Sequence, residues 1–145
     1  MTKGPILLVE DNPDDQKLTV RALKKNHITN DIVIAEDGVQ ALDYLFGTGH
    51  FAGRNPQQRP SLVLLDLKLP KIDGLEVLAR LRADERTRML PVVILTSSKE
   101  EQDLINSSER GANSYVQKPV SFLEFVGAAG RLGDYWLMLN EPPPE

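Results

Sequence analysis

Four short runs of consecutive apolar residues constrain this chain more than anything else in it: Ile6-Leu7-Leu8-Val9, Ile32-Val33-Ile34-Ala35, Leu62-Val63-Leu64-Leu65 and Val92-Val93-Ile94-Leu95. A strand with one wet face alternates apolar and polar residues, whereas a run without alternation needs cover on both faces. Helices on either side of a parallel sheet provide that cover, and the segments between the runs have helical spacing. Asn12 and Pro13 supply an N-cap and a first helical residue for a helix to about Asn26 that carries Leu18, Ala22 and Leu23. Gly38 to Phe46 reads as a short helix carrying Ala41, Leu42 and Leu45, and Asp73 starts one carrying Leu75, Leu78 and Leu81. A polar helix is expected from Lys99 to Arg110, stopping at Gly111. Tyr115-Val116 falls in a short fifth strand, and Ser121 caps a last helix with Phe122, Phe125, Val126, Ala129 and Leu132. Strand and helix thus alternate five times, which predicts a parallel sheet with helices on both faces. Gly47 to Pro60 is a polar loop, longer than most connections in a small domain.

Composition narrows the function classes. A chain of 145 residues is one ordinary domain, able to bury a core without disulfides. We read residues 1–140 as that domain and 141–145, Glu-Pro-Pro-Pro-Glu, as a non-helical tail. With 17 Lys and Arg against 21 Asp and Glu the formal charge is −4, which argues against a phosphate backbone as partner. The absence of cysteine removes disulfides, thiolate metal sites and a Cys nucleophile. No apolar stretch approaches the roughly 20 residues of a membrane span, and the run after Met1-Thr2-Lys3-Gly4-Pro5 is too short for a signal peptide. A cytoplasmic protein is the expectation.

In open parallel sheets the reactive site lies beyond the carboxyl ends of the strands, where strand order reverses. Here those ends carry Glu10-Asp11, Asp66, Thr96-Ser97 and, after the fifth strand, Lys118-Pro119. Each residue alone has an ordinary explanation. Asp11 or Asn12 can cap a helix, Asp66 can sit in the turn before Pro70, Thr96 can bond to backbone, and Lys118 can be a solvated charge. Together they assemble three carboxylates, a hydroxyl and a lysine at one edge. Clustered carboxylates repel and favour a divalent cation, with Mg²⁺ the natural candidate for all-oxygen donors beside a phosphoryl group. A carboxylate can also be a nucleophile that forms an aspartyl phosphate, with cations neutralising the phosphoryl oxygens.

These residues resemble the receiver domains of two-component response regulators. The likeness is carried by Val9-Glu10-Asp11-Asn12, by the segment from Leu64 through Asp66, Lys68 and Pro70 to Asp73-Gly74, by Leu95-Thr96-Ser97, and by the stretch from Gly111 through Tyr115 to Lys118-Pro119. It implies a flavodoxin-like doubly wound five-stranded parallel sheet, order 2-1-3-4-5, with five helices. It implies that Asp66 accepts a phosphoryl group from a phosphohistidine on a kinase. Asp11, Asp66 and the main-chain carbonyl of Lys68 would bind Mg²⁺ directly, with Glu10 holding it through water. Thr96 and Lys118 would contact the phosphoryl group, and Thr96 with Tyr115 would form the switch. The Lys118-Pro119 bond would be cis. Such a protein is a phosphoacceptor that catalyses its own phosphotransfer and slow dephosphorylation, not an enzyme acting on a pool of substrate. Three features depart from many receivers: Glu10 in place of a first aspartate, Lys68 two residues beyond the acceptor, and the inserted 47–60 loop. That loop, Asp11-Asn12-Pro13-Asp14-Asp15 and the stretch Asp134 to Pro142 look like the single-domain regulators paired with bacterial phytochrome kinases. A red/far-red signal would then reach this chain from a chromophore on the kinase.

Gly47-Thr48-Gly49-His50-Phe51-Ala52-Gly53-Arg54 faintly resembles a phosphate-cradling loop, but it follows a helix and lacks Gly-Lys-Ser/Thr. His27 and His50 have no ligand partners at useful spacing, so the phosphoryl donor is expected on another protein. Tyr135, Trp136, Leu137, Met138 and Leu139 exceed what one helix face needs, which points to self-association through the helix-four, strand-five, helix-five face and the C-terminal segment. With no room for a DNA-binding domain, output is expected through protein contact or onward phosphotransfer. An Asp-nucleophile phosphohydrolase would need an acid where Lys68 stands. A flavin phosphate would be repelled by the acidic strand ends. A receiver-like module that is never phosphorylated is the remaining alternative.

Overall fold

The computed structural model describes residues 4–25, 30–55, 58–96 and 114–117, with Thr96 and 114–117 described through their strand pairing alone. The strands are β1 Ile6–Val9, β2 Ile32–Ala35, β3 Leu62–Asp66, β4 Val92–Thr96 and β5 Ser114–Gln117. Between them lie α1 Pro13–Lys25, α2 Gly38–Phe46 and α3 Gly74–Ala83, with a 3₁₀ turn at Gly49–Phe51. All strand pairs are parallel and the order is β2-β1-β3-β4-β5. The helices expected over 99–110 and from Ser121, the Lys118-Pro119 bond and the 141–145 tail lie outside the described residues.

The unbroken apolar runs pack as their pattern requires. Leu7, Val9, Val63, Leu65, Val92 and Ile94 face Ala41, Leu42 and Leu45 of α2 and Val77, Leu78 and Leu81 of α3. The alternate residues, Ile6, Leu8, Leu62, Leu64, Val93 and Leu95, form the opposite core with Ala22 and Leu23 of α1. Burial of each of the Leu, Ile and Val side chains contributes about 1.5–3 kcal/mol. β1 and β3 are buried along their whole length.

β2 was expected to be buried on both faces like the other runs, yet only Ala35 is fully buried and Ile34 is 39% exposed. The reason is topological: β2 is an edge strand, with β1 as its single neighbour. On α1, Leu18 is 37% exposed, and the inward positions belong to Thr19, Ala22 and Leu23 at i, i+3 and i+4.

Helix starts are built from short polar side chains. Asn12 Oδ1 accepts from the N–H groups of Asp14 (2.9 Å) and Asp15 (3.2 Å), with Pro13 in the first helical position. Asp37 accepts from Gln40 N–H at 2.8 Å and Asp73 from Glu76 N–H at 2.9 Å. Each of these aspartates is followed by a glycine that meets another backbone. A Cβ on Gly38 would lie 2.1 Å from the Ile72 carbonyl oxygen, and one on Gly74 would lie 2.3 Å from that of Asp66. No side chain fits at either place.

Beyond α3, the Arg86 guanidinium brackets the Asp84 carboxylate, with Nη2–Oδ2 at 2.9 Å and Nε–Oδ1 at 3.1 Å, and its backbone N–H donates to Oδ1 at 2.8 Å. These hydrogen bonds hold the Asp84 carboxyl at about 2, below its ordinary 3.8. A depressed carboxyl binds protons less readily in the folded state, so its contribution is present above 3.8 and fades as pH falls toward 2. A side-chain NMR titration is expected to place the Asp84 midpoint near 2, and Arg86→Ala to return it toward 3.8. An unshifted midpoint in the variant would contradict this origin.

Candidate functional site

The strand order reverses between β1 and β3. α1 carries the chain from β1 outward to β2, and α2 returns it past β1 to β3. This is the crevice where open α/β sheets place their sites, and the residues just past β1 and at the end of β3 are acidic.

Glu10 continues β1 by one step, its N–H donating to the Ala35 carbonyl at 2.9 Å. It is fully buried, its main-chain oxygen accepts from Gln16 Nε2 at 2.8 Å, and its Oε2 accepts from Asn12 N–H at 3.3 Å. Since Asn12 caps α1, the exposed Asp11 carboxylate is left to the crevice. Asp66 ends β3 at 2% exposure and pairs across to Leu95. Carboxylate oxygens of Glu10, Asp11 and Asp66 lie within 4.8 Å of one another. The sequence expectation of three converging carboxylates is thereby met by the geometry.

The loop after β3 folds back over this cluster. Leu67 N–H donates to the Leu95 carbonyl at 3.2 Å, Lys68 N–H to Asp66 Oδ1 at 3.3 Å, and Gly74 N–H to the Leu67 carbonyl at 2.9 Å. A cleft of about 500 Å³ opens beside it, lined by Asp11, Leu67, Lys68, Leu69, Pro70 and Asp73 among others. Thr96 ends β4 one residue past Leu95, the partner of Asp66, and pairs with Gln117, the last residue of β5. Tyr115 lies in β5 opposite Ile94. Lys118 and the Tyr135, Trp136, Leu137, Met138, Leu139 run lie outside the described residues.

At about 5 Å, two like charges repel by roughly 1–3 kcal/mol for effective dielectric constants between water and a protein surface. Three carboxylates lie in this space, two of them buried. Every donor is an oxygen, with neither imidazole nor thiolate, which fits a hard divalent cation.

The glycine-punctuated loop does not form a phosphate cradle. Thr48 N–H is spent on the Asp43 carbonyl at 3.0 Å and Thr48 Oγ1 on the Asp43 carboxylate at 2.9 Å, so a negative group already faces the loop. The remainder packs on α2. Phe51 meets Tyr44 edge-on with ring centroids 5.3 Å apart, and the Arg54 guanidinium lies 3.9 Å from the Tyr44 centroid. Arg54 also donates to the carbonyls of Tyr44 and Gln58.

Sequence reasoning missed the supports of the site: Gln16, which holds the Glu10 main chain, and the close approaches at Gly38 and Gly74. The available signal was the repeated Asp-Gly pair at helix starts, Asp37-Gly38 and Asp73-Gly74.

The acidic trio sits at the switch point of this sheet, and residues 6–129 match the family model of the response regulator receiver domain. The chain belongs to that family and thus to two-component signalling. It is 50% identical to the bacteriophytochrome response regulator RtBRR, whose solved structure superposes with a TM-score of 0.89 over 99% of this chain and 86% of that one. Response regulator Rcp1 of Synechocystis (strain PCC 6803) is 37% identical over 91% of this chain and 88% of its own. The Mn²⁺-bound form of Rcp1 superposes with a TM-score of 0.74 over 97% of each chain. FilR2 of Methanothrix harundinacea, described as a probable methanogenesis regulatory protein, is 42% identical over 95% of this chain and 86% of its own.

Proposed function

We propose that this receiver is phosphorylated on Asp66 by a histidine kinase of the bacteriophytochrome type, and that it signals by protein contact or onward phosphotransfer. The observation that carries the reading is the convergence of Glu10, Asp11 and Asp66 within 4.8 Å at the switch point. An Asp66 oxygen attacks the phosphorus of the kinase phosphohistidine, the P–N bond breaks, and the imidazole leaves with the electron pair. The Lys68 N–H already donates to Asp66 Oδ1, which fixes the carboxylate plane. Glu10, Asp11, Asp66 and the Lys68 main-chain carbonyl would hold Mg²⁺, which when bound neutralises charge on the transferring phosphoryl oxygens. Lys118 supplies a second positive charge and the Thr96 hydroxyl a hydrogen bond, as in the receivers this chain resembles. Inward movement of Thr96, followed by Tyr115, then shifts a pre-existing equilibrium toward the signalling form.

Helices over 99–110 and from Ser121 complete the five-helix receiver in this reading. The Tyr135–Leu139 run serves self-association, on the strength of five consecutive large apolar residues. A cytoplasmic location accords with the described residues, where no helix is long and apolar enough to cross a membrane.

The phytochrome pairing rests on the likeness to RtBRR. The comparable likeness to FilR2 favours a second reading, a kinase with another sensory input. Phosphotransfer separates the two. A bacteriophytochrome kinase autophosphorylated with labelled ATP is expected to pass label to the wild type within minutes, in amounts that differ between red and far-red light, and none to Asp66→Asn. Equal transfer from unrelated sensor kinases would contradict the pairing.

A further inference from the structure

We propose that Asp37 and Lys71 clamp the 67–73 loop onto α2 and thereby position the Lys68 main chain at the acidic cluster. This rests on the metal-assisted reading above and assigns positioning residues that the motif analysis did not single out.

Lys71 has a φ of 68°, the one positive value at a non-glycine residue among those described. Such a conformation disfavours a side-chain-bearing residue and needs support from its surroundings. Its Nζ lies 3.4 Å from Asp37 Oδ2, and Asp37 is buried. The other oxygen of Asp37, Oδ1, caps α2 through Gln40 N–H at 2.8 Å, so the carboxylate is held on one side by the helix. Next in sequence, the Ile72 carbonyl sits so close to Gly38 that any side chain there would collide with it. The apex of the loop is therefore fastened to the first turn of α2 by an ion pair and by backbone contact.

One end of the loop is fastened to the site, and its two ends are fastened to each other. Lys68 N–H donates to Asp66 Oδ1 at one end, and Gly74 N–H donates to the Leu67 carbonyl at the other. Rotation at Lys71 would be transmitted along three residues to Lys68, whose carbonyl is the main-chain ligand in the proposed metal set. Lys71 is itself well exposed, so the clamp is a modest one, on the scale of a single surface ion pair.

The test is Mg²⁺ affinity by isothermal titration calorimetry on the full chain without phosphodonor, with melting temperature followed in parallel. Lys71→Met removes the charge and keeps the stem. Asp37→Asn removes the charge and keeps the cap, since Asn caps as well as Asp. Each variant is expected to weaken Mg²⁺ binding about threefold. The double variant should also be about threefold weaker, not ninefold, because both changes break one pair. Lys71→Arg should restore the wild-type value. Wild-type affinity in both single variants, or independent multiplication in the double, would overturn the clamp. A lowered melting temperature with unchanged affinity would also overturn it, by leaving a structural role alone. Absence of Mg²⁺ binding by the wild type would instead overturn the metal reading beneath it.

Discussion

Replacing Asp11 by asparagine is expected to move stability and metal response in opposite directions. Without metal the variant should be more stable than the wild type by about 1 kcal/mol, because it removes one exposed charge from a trio whose oxygens lie within 4.8 Å of one another. With metal the order should reverse. The wild type gains RT ln(1 + [L]/Kd), about 2.7 kcal/mol at a hundredfold excess over Kd. The variant, with one carboxylate fewer facing a divalent ion, should bind Mg²⁺ at least about 30-fold more weakly, near 2 kcal/mol. Asn12, not Asp11, caps α1, so the substitution leaves the helix start intact. Thermal denaturation of both proteins, with EDTA and with millimolar Mg²⁺, checks the crossing. Parallel curves in the two conditions would mean that Asp11 takes no part in metal binding.

Legibility of this fold in its sequence followed the physics of each element. Ile6–Val9 and Leu62–Leu65 read correctly as doubly covered strands because local pattern and global position agree there. Ile32–Ala35 carries the same pattern, yet sits at the sheet edge. Edge position depends on strand order, which no local window contains. The acidic trio was legible because its members end strands, and the end of a parallel strand always points to the same edge. Asn12 and Pro13 were legible as a helix start because capping is a matter of a few neighbouring residues. The support of the site was not legible in this way. Lys71 meets Asp37 across 33 intervening positions, and nothing local announces that Ile72 will press on Gly38. The 47–60 loop looked irregular in sequence because its order comes from Phe51 and Arg54 gripping Tyr44, side-chain contacts that periodicity does not encode.

Substitution of Asp66 carries the largest functional effect. Asparagine at this position keeps the shape of the β3 end and can still accept from Lys68 N–H, yet it lacks the anionic oxygen needed for attack on phosphorus. Loss of the nucleophile is a loss of the step itself, since neither Glu10 nor Asp11 occupies the end of β3. The most direct measurement is therefore intact mass after incubation with acetyl phosphate and Mg²⁺, with and without EDTA. The wild type is expected to gain the mass of one phosphoryl group in the presence of Mg²⁺ and to lose that gain with EDTA, and Asp66→Asn should gain nothing. No adduct on the wild type with any phosphodonor, or an undiminished adduct on Asp66→Asn, would contradict the assignment of Asp66 as the phosphoacceptor.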